Sequence, residues 1–454
     1  MVKGNPEFLR NLWLEITPYR LIMMPSVIGA IFLVMFLIND RILDSSTAKL
    51  SAIMYAAIVL IWGSRVASES VIQEINARTW DNQRMSALGP WSLATGKLFG
   101  STVHIWYGGL ICMGLYALSY GELIPTDRLM ELIALYIGAG ILCHAIGLLV
   151  SLQAVQKRRE FGRIQVAFYQ FLGLLVVGPV LYIGLSDIAE TKLYFVTTWY
   201  GHVYELLAAT VVWLYAYVGW SLVGIWRLMR AELQMPNGPW AWLAFVAFAV
   251  VHVAGLRFLP DEVSRVIPTL AGRVFAGFAV LAVLCYVAAL SEPKGRLVFR
   301  RLRQSMRLGD WKGFLNRVPL SVPTVLLMLV AAATLLRIGP AHIDLFTFPL
   351  NFRLMVGAAA LFVLRDVCFV TWMNLLRPSP RADSGAFVLL ALAYTLIPVA
   401  LSGIGLDVLT SFFWPMRNAS APLTLLPVAG EVLVVGILLI RQWRRAVAED
   451  EDIY

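Results

Sequence analysis

Charged side chains are scarce in this sequence. Only 14% of its 454 residues are Asp, Glu, Lys or Arg, whereas soluble domains carry about 25%. Hydrophobic residues make up 59% of the chain, and a soluble fold of this size could not bury that much apolar surface. The apolar runs are continuous, whereas a transmembrane β-barrel requires alternation. The composition therefore predicts an all-α polytopic membrane protein.

Cysteine and histidine are also rare, with four and five copies. The cysteines are scattered through apolar segments, so we interpret them as small packing residues and not as a disulfide framework or a zinc site. The sequence contains no HExxH, no GxSxG and no acidic cluster beside a membrane surface. A complete phosphate-binding loop is missing as well. We therefore expect no catalytic site, no metal site and no cofactor in this chain.

Twelve apolar runs approach the length of about 20 residues that a membrane-spanning helix needs. They lie at about 19–38, 50–68, 98–119, 130–152, 164–185, 205–226, 239–258, 270–291, 320–337, 352–374, 385–404 and 422–440. Most of the 37 Lys and Arg residues fall on the side of the membrane that holds the N-terminus. The positive-inside rule then predicts cytoplasmic N- and C-termini. The net charge of +9 thus reflects membrane topology, and we expect no nucleic acid partner.

The runs divide into two parallel six-span halves, 1–230 and 231–454. Each half has one long cytoplasmic segment after its second span, at about 69–97 and 292–319. Each also has an outer segment rich in aromatic residues before its sixth span. Because residue identity between the halves is slight, we interpret this as a repeated layout and not as sequence homology.

The segment 69–97 is polar and longer than a connecting turn requires. On one α-helix, Glu74, Arg78 and Asp81 would form a single charged stripe. A Gly-Pro pair at 89–90 would end that helix, and Ser92 would cap the next one. Spacing alone is compatible with a solvated loop helix or with a docking element for a cytoplasmic partner.

This segment resembles the first cytoplasmic loop of the permease subunits of type-2 ABC exporters, which export polysaccharides and drugs. The residues that carry the resemblance are Glu74, Thr79, Asp81, Gly89-Pro90 and Gly96-Lys97. The amphipathic start of the chain and the aromatic segment before the sixth span are also similar, so the resemblance covers about residues 1–235. It implies a permease in the plasma membrane (the bacterial inner membrane), driven by a separate cytoplasmic ATPase subunit that binds ATP. The residues that it implies as ATPase contacts are Glu74, Arg78, Thr79 and Asp81.

Permeases of this class usually have six spans, whereas this chain continues with six more. Two assemblies follow as alternatives. Either one chain forms the whole pathway with two ATPase subunits, or two chains form a homodimer through residues 1–230.

Two further segments have amphipathic character. Residues 5–18 suit a helix that lies in the cytoplasmic membrane interface, the alternative being the frayed start of the first span. The segment 292–319 is strongly basic, with Arg300, Arg303 and Arg307 on one helical face. It is either a second ATPase-docking element or a helix on anionic membrane lipid.

Three charged residues fall inside predicted spans, namely Arg365, Asp366 and Glu431. A charge at the centre of a spanning helix costs about 2.5–3.5 kcal/mol on insertion scales. They form either a structural ion pair between helices or part of a substrate or proton path. The second possibility keeps open an alternative function, a twelve-span secondary transporter driven by an ion gradient.

Overall fold

Apolar α-helices form most of the chain. The computed structural model describes residues 4–121, 123–157, 163–189, 195–256, 269–345, 348–376, 382–414 and 421–448. Within these ranges ten helices are long and apolar enough to cross a membrane, or up to eleven if the bent pair Pro90–Gly100 and Val103–Tyr120 is one span. The chain is therefore an all-α, multi-pass membrane protein. The predicted span at 239–258 coincides with a shorter apolar helix, Trp240–Gly255, so a total of twelve spans stays a prediction.

Contacts between the helices divide the chain into two compact units. Unit 1 comprises residues 1–197 and 203–237, and unit 2 comprises residues 198–202 and 238–454. The helices of unit 1 are α1 (Pro6–Glu15), α2 (Pro18–Ile38), α3 (Ser45–Asn76), α4 (Trp80–Arg84), α5 (Pro90–Gly100), α6 (Val103–Tyr120), α7 (Thr126–Gln156), α8 (Arg163–Ala189) and α9 (Leu206–Glu232). A hairpin of strands β1 (Val196–Trp199) and β2 (His202–Glu205) separates α8 from α9 in the chain.

The described part of unit 2 contains eight α-helices, one 3₁₀ helix and two strands. Its helices are α10 (Trp240–Gly255), α11 (Thr269–Ser291), α12 (Arg296–Arg307), α13 (Trp311–Arg317), α14 (Ser321–Ile338), α15 (Phe352–Leu376), α16 (Ala382–Gly403) and α17 (Ala421–Trp443), with a 3₁₀ helix at Asp407–Phe412. Strands β3 (His342–Leu345) and β4 (Phe348–Asn351) form an antiparallel hairpin before α15. The aromatic segment before the last span thus contains a 3₁₀ helix, whereas the corresponding segment of the first half contains a hairpin, so the two halves differ at this point.

The first helix is a separate element and not the frayed start of the first span. The backbone of Ile16 is extended between α1 and α2 (φ −90°, ψ 95°), and the Thr17 side chain caps α2. The buried residues of α1 are the polar Glu7 and Asn11, whereas Trp13 is 83% exposed. A helix that turns its polar residues inward and its apolar residues outward suits a membrane interface.

The core of unit 1 lies between α3, α6 and α7. Tyr55, Tyr116 and Tyr136 are buried there, and the Tyr55 hydroxyl donates to the Tyr136 carbonyl at 2.8 Å. Residues 56–63 of α3 are π-helical, and the imidazole Nε2 of His144 lies 2.7 Å from the Val59 carbonyl oxygen in that stretch. Because the carbonyl oxygen only accepts, this nitrogen carries the proton.

Candidate functional site

The loop after the second span is a tight corner between two helices. Helix α3 ends at Asn76, and α4 begins at Trp80. Between them Arg78 has φ = +58°, a left-handed conformation that ends a helix and that non-glycine residues adopt only at a cost. The prediction that one helix carries Glu74, Arg78 and Asp81 as a single stripe is therefore wrong, because the helix ends and the chain turns between Glu74 and Asp81.

The prediction for the next turn is also wrong in detail. Helix α4 ends at Arg84, before the Gly-Pro pair, and α5 begins at Pro90. Ser92 lies inside α5, where its hydroxyl donates to the Asn5 carboxamide oxygen. Ser92 thus forms a hydrogen bond to the N-terminal segment and is not a helix cap.

The Glu74 side chain faces inward and is 13% exposed. Its carboxylate forms ion pairs with Arg10 and Lys97 and accepts a hydrogen bond from Gln83 at 2.6 Å. Lys97 also pairs with Glu7 at 2.8 Å, and Arg10 pairs with Glu7 at 2.9 Å. We call Glu7, Arg10, Glu74 and Lys97 the Glu74 cluster. Its two carboxylates and two cations balance, which burial of charge requires.

Small residues bring α1 close enough to α5 for this cluster to form. A Cβ atom on Gly96 would lie 2.5 Å from the Glu7 Cγ, and one on Gly100 would lie 2.9 Å from the Asn11 Cβ. The Asn5 amide adds a hydrogen bond to the Ser92 carbonyl at 2.8 Å. In the Gly96-Lys97 pair, which carries part of the resemblance, Gly96 thus allows α1 to approach α5 closely and Lys97 supplies a buried cation.

The electrostatics of the cluster favour the ionised form of Glu7. Burial of the Glu7 side chain raises its pKa, but the Lys97 ammonium and the Arg10 guanidinium beside it outweigh that effect. The net result is that the pKa of Glu7 lies below its ordinary value. The cluster is therefore held together by charge attraction at neutral pH.

A second set of contacts ties the corner to the end of α9. The Arg84 Nε donates to the Glu232 carbonyl oxygen at 3.0 Å, and the Trp80 indole reaches the Glu232 carboxylate at 3.5 Å. The Trp80 ring is buried. The base of the loop is thus joined to α1, α5 and α9.

The three remaining predicted contacts lie at the surface. Arg78, Thr79 and Asp81 are exposed, and the Asp81 side chain is 80% exposed although it pairs with Arg84 at 3.3 Å. We call Arg78, Thr79 and Asp81 the loop tip. The structure therefore brings three of the four predicted partner contacts together at one exposed corner and separates Glu74 from them.

The charged residues predicted inside the spans of unit 2 do meet. Arg365 on α15 pairs with Glu431 on α17 and contacts Asp366 through two nitrogens at 2.7 and 2.8 Å. Tyr286 and Tyr394 each donate to the second Asp366 oxygen at 2.6 Å. We call these five residues the Arg365 cluster. It joins α11, α15, α16 and α17.

A cavity of about 800 Å³ opens beside the Arg365 cluster. Arg365, Glu431 and Ser411 are its polar lining residues, and the other lining residues are apolar or aromatic, among them Leu389, Phe412 and Val434. Its volume lies within the range of small-molecule sites. Sequence reasoning singled out two charged members of this lining, but it missed the cavity because its apolar residues come from separate helices.

The basic segment of unit 2 forms α12 and α13. Arg300 donates to the Ala446 carbonyl oxygen at 3.2 Å, so it contacts the segment after α17. Phe299 packs on the Trp443 ring, with centroids 4.8 Å apart. Leu297 and Leu308 are 67% and 74% exposed. The apolar side chains of this segment are thus divided, with Phe299 packed against another helix and Leu297 and Leu308 exposed.

Sequence reasoning also missed the roles of Glu7, Arg10, Tyr286 and Tyr394. The acid and base in α1 belong to an amphipathic pattern, and the two tyrosines lie among many aromatic residues. Among the described residues no group of three or more His, Cys, Asp or Glu side chains is arranged to hold a metal ion. Comparisons with family models, curated proteins and solved structures found no match to this chain.

Proposed function

We propose that this chain is the transmembrane permease of an ABC-type exporter in the bacterial inner membrane, driven by a separate cytoplasmic ATPase that docks on the loop tip. One observation carries the proposal: residues at the base of the exposed tip form ion pairs and hydrogen bonds with α1, α5 and α9. Helix α3, with 32 residues, is about 48 Å long at 1.5 Å per residue. The hydrocarbon core is about 30 Å thick, so α3 is long enough to hold the tip outside the membrane.

This arrangement suits mechanical coupling. A partner that pushes on the loop tip would displace α1, α5 and α9 together, because ion pairs, hydrogen bonds and glycine contacts link them to the tip. In this account Glu74 transmits force and does not contact the ATPase, while Arg78, Thr79 and Asp81 are the contacts. ATP binds on the partner, and both termini of the permease lie in the cytoplasm.

The test compares matched variants at the two ends of α3. Arg78 (φ +58°) and Arg41 (φ +63°) are both exposed arginines in a left-handed conformation. Replacing each by Gly removes the side chain and relieves backbone strain. The double variant Arg78→Gly with Asp81→Asn changes the tip, and Asp40→Asn with Arg41→Gly makes the same charge change at the opposite end.

An ATPase is first sought in the reading frames adjacent to that of the permease; each variant is then expressed with it and purified through a tag on the permease. We expect the tip variant to lose the ATPase from the purified complex and to lower permease-dependent ATP hydrolysis at least tenfold, while the variant at residues 40–41 behaves as wild type. Equal retention of the ATPase by both variants would refute docking at the tip. The mass of the wild-type complex also distinguishes one chain with two ATPase subunits from a homodimer.

A secondary transporter driven by an ion gradient is the second candidate, and the Arg365 cluster favours it. A carboxylate beside a cavity at membrane depth is a typical element of proton-coupled transport. The test uses wild-type protein and the Glu431→Gln variant in vesicles loaded with ethidium, without ATPase or nucleotide. Efflux that requires an imposed pH gradient and Glu431 would establish this function and refute the permease; no efflux under these conditions would exclude gradient-driven transport of this probe.

Membrane lipid is the partner that we propose for α12 and α13. Exposed Leu297, Leu308 and Trp311 lie in the same basic segment as the exposed Arg301, which is the composition of a segment on an anionic surface. Arg301→Gln should weaken retention of anionic lipid during purification without releasing the ATPase. Salt-sensitive release of the ATPase in this variant would instead identify a second docking element.

A further inference from the structure

The Arg365 cluster contains more negative than positive charge. Arg365 is its single cation, and Asp366 and Glu431 are its two acids, so the fully ionised cluster carries one net negative charge. No other charged residue lines the adjacent cavity among the described residues. Glu431 lies near the middle of α17, at a depth where charge is costly unless it is compensated.

The two acids differ in how fully they are satisfied. Asp366 is completely buried and accepts three hydrogen bonds, one each from Arg365, Tyr286 and Tyr394, beside a second ion-pair contact with Arg365 at 2.7 Å. Arg365 is the only hydrogen-bond partner of Glu431 among the described residues, through one carboxylate oxygen. The Glu431 side chain is 24% exposed, and it lines the cavity. The surplus negative charge is therefore located on the acid that faces the open space.

We propose that this cavity is a binding site for an amphiphilic organic cation, whose charged group pairs with Glu431 and whose apolar body fills the space between α15, α16 and α17. The charge of the ligand balances the cluster, and the lining around Leu389, Phe412 and Val434 matches an apolar or aromatic body. An inorganic cation is a poor fit, because this lining offers few oxygen ligands to replace its hydration shell.

Two ions of nearly identical shape and opposite charge test the assignment. Tetraphenylphosphonium is a cation, and tetraphenylborate is an anion. Wild-type protein in nanodiscs of neutral lipid should bind radiolabelled tetraphenylphosphonium saturably, with one site per chain, and should bind tetraphenylborate at least tenfold more weakly. The assay contains no ATPase and no nucleotide, so its result is independent of the proposed ATP-driven function.

Variants on α17 test the charge of Glu431 and the space in the cavity separately. Glu431→Gln retains an oxygen that accepts from Arg365 but removes the charge, and it should lower affinity for the cation at least tenfold. A Cβ atom on Gly430 or on Gly436 would meet nothing within 4 Å, but only Gly430 lines the cavity. Gly430→Leu should therefore abolish saturable binding, whereas Gly436→Leu, with the same change of volume and hydrophobicity, should bind as wild type.

Three outcomes would overturn the assignment. Unsaturable uptake of the cation would indicate partition into lipid, and equal affinity for the two ions would exclude charge recognition. Unchanged binding by Glu431→Gln would show that the cation does not pair with a Glu431 carboxylate, for example because this carboxyl group is protonated. Should Glu431→Gln fail to fold, as judged by gel filtration and circular dichroism, the pair at Gly430 and Gly436 still decides, because equal binding by both would exclude this cavity.

Discussion

Lys97 is predicted to be the main stabilising cation of the Glu74 cluster. Its side chain is 1% exposed, as is that of Glu7, and the side chain of Glu74 is 13% exposed. Lys97→Met keeps the length of the side chain but leaves two largely buried carboxylates beside Arg10, which is 40% exposed. Removing one partner of a buried ion pair costs about 3–5 kcal/mol, so we expect a loss of that size in the free energy of unfolding.

Arg10→Ala is the matched comparison, because exposed ion pairs contribute about 0–1 kcal/mol. Reversible unfolding in mixed micelles, followed by circular dichroism, measures both variants. The triple variant Glu7→Gln, Glu74→Gln, Lys97→Met removes the unpaired charges and should recover most of the stability, since a neutral replacement of a buried ion pair is often tolerated. The reasoning is refuted if Lys97→Met loses no more stability than Arg10→Ala, or if the triple variant recovers none of it.

Two further predictions concern unit 1. Because the pKa of Glu7 is lowered in the folded protein, the stability that it contributes is present above its ordinary pKa of about 4.5 and is lost as the pH falls through the lowered value. Measured by thermal unfolding between pH 7 and pH 3, the stability of the wild type should thus fall more steeply with decreasing pH than that of Glu7→Gln. Parallel curves for the two proteins would contradict this. The His144 imidazole donates to the Val59 carbonyl, so His144→Phe should lower the free energy of unfolding by about 1–3 kcal/mol. His144→Gln retains a donor and should lower it less. The reverse order of the two variants in chemical unfolding would show that ring packing dominates.

The sequence alone determined the class of the protein and the approximate position of its spanning helices. Long apolar runs have one stable state in a bilayer, because every backbone polar group must be satisfied within the segment. The separate first helix also followed from its pattern. Boundaries near the loop did not, because the corner at Arg78 depends on a left-handed conformation that an arginine rarely adopts.

The tertiary structure alone decided which charged residues act together. Glu7 and Glu74 are far apart in the chain, and only the close contact of α1 with Gly96 and Gly100 brings both to Lys97. The pairing of Arg365 with Glu431 likewise depends on the packing of α15 against α17. The periodicity of a helix specifies the face on which a side chain lies. The residue that this side chain contacts depends on the packing of segments that are distant in the chain. For this reason the sequence indicated charged candidates, and the fold separated the buried Glu74 from the exposed tip.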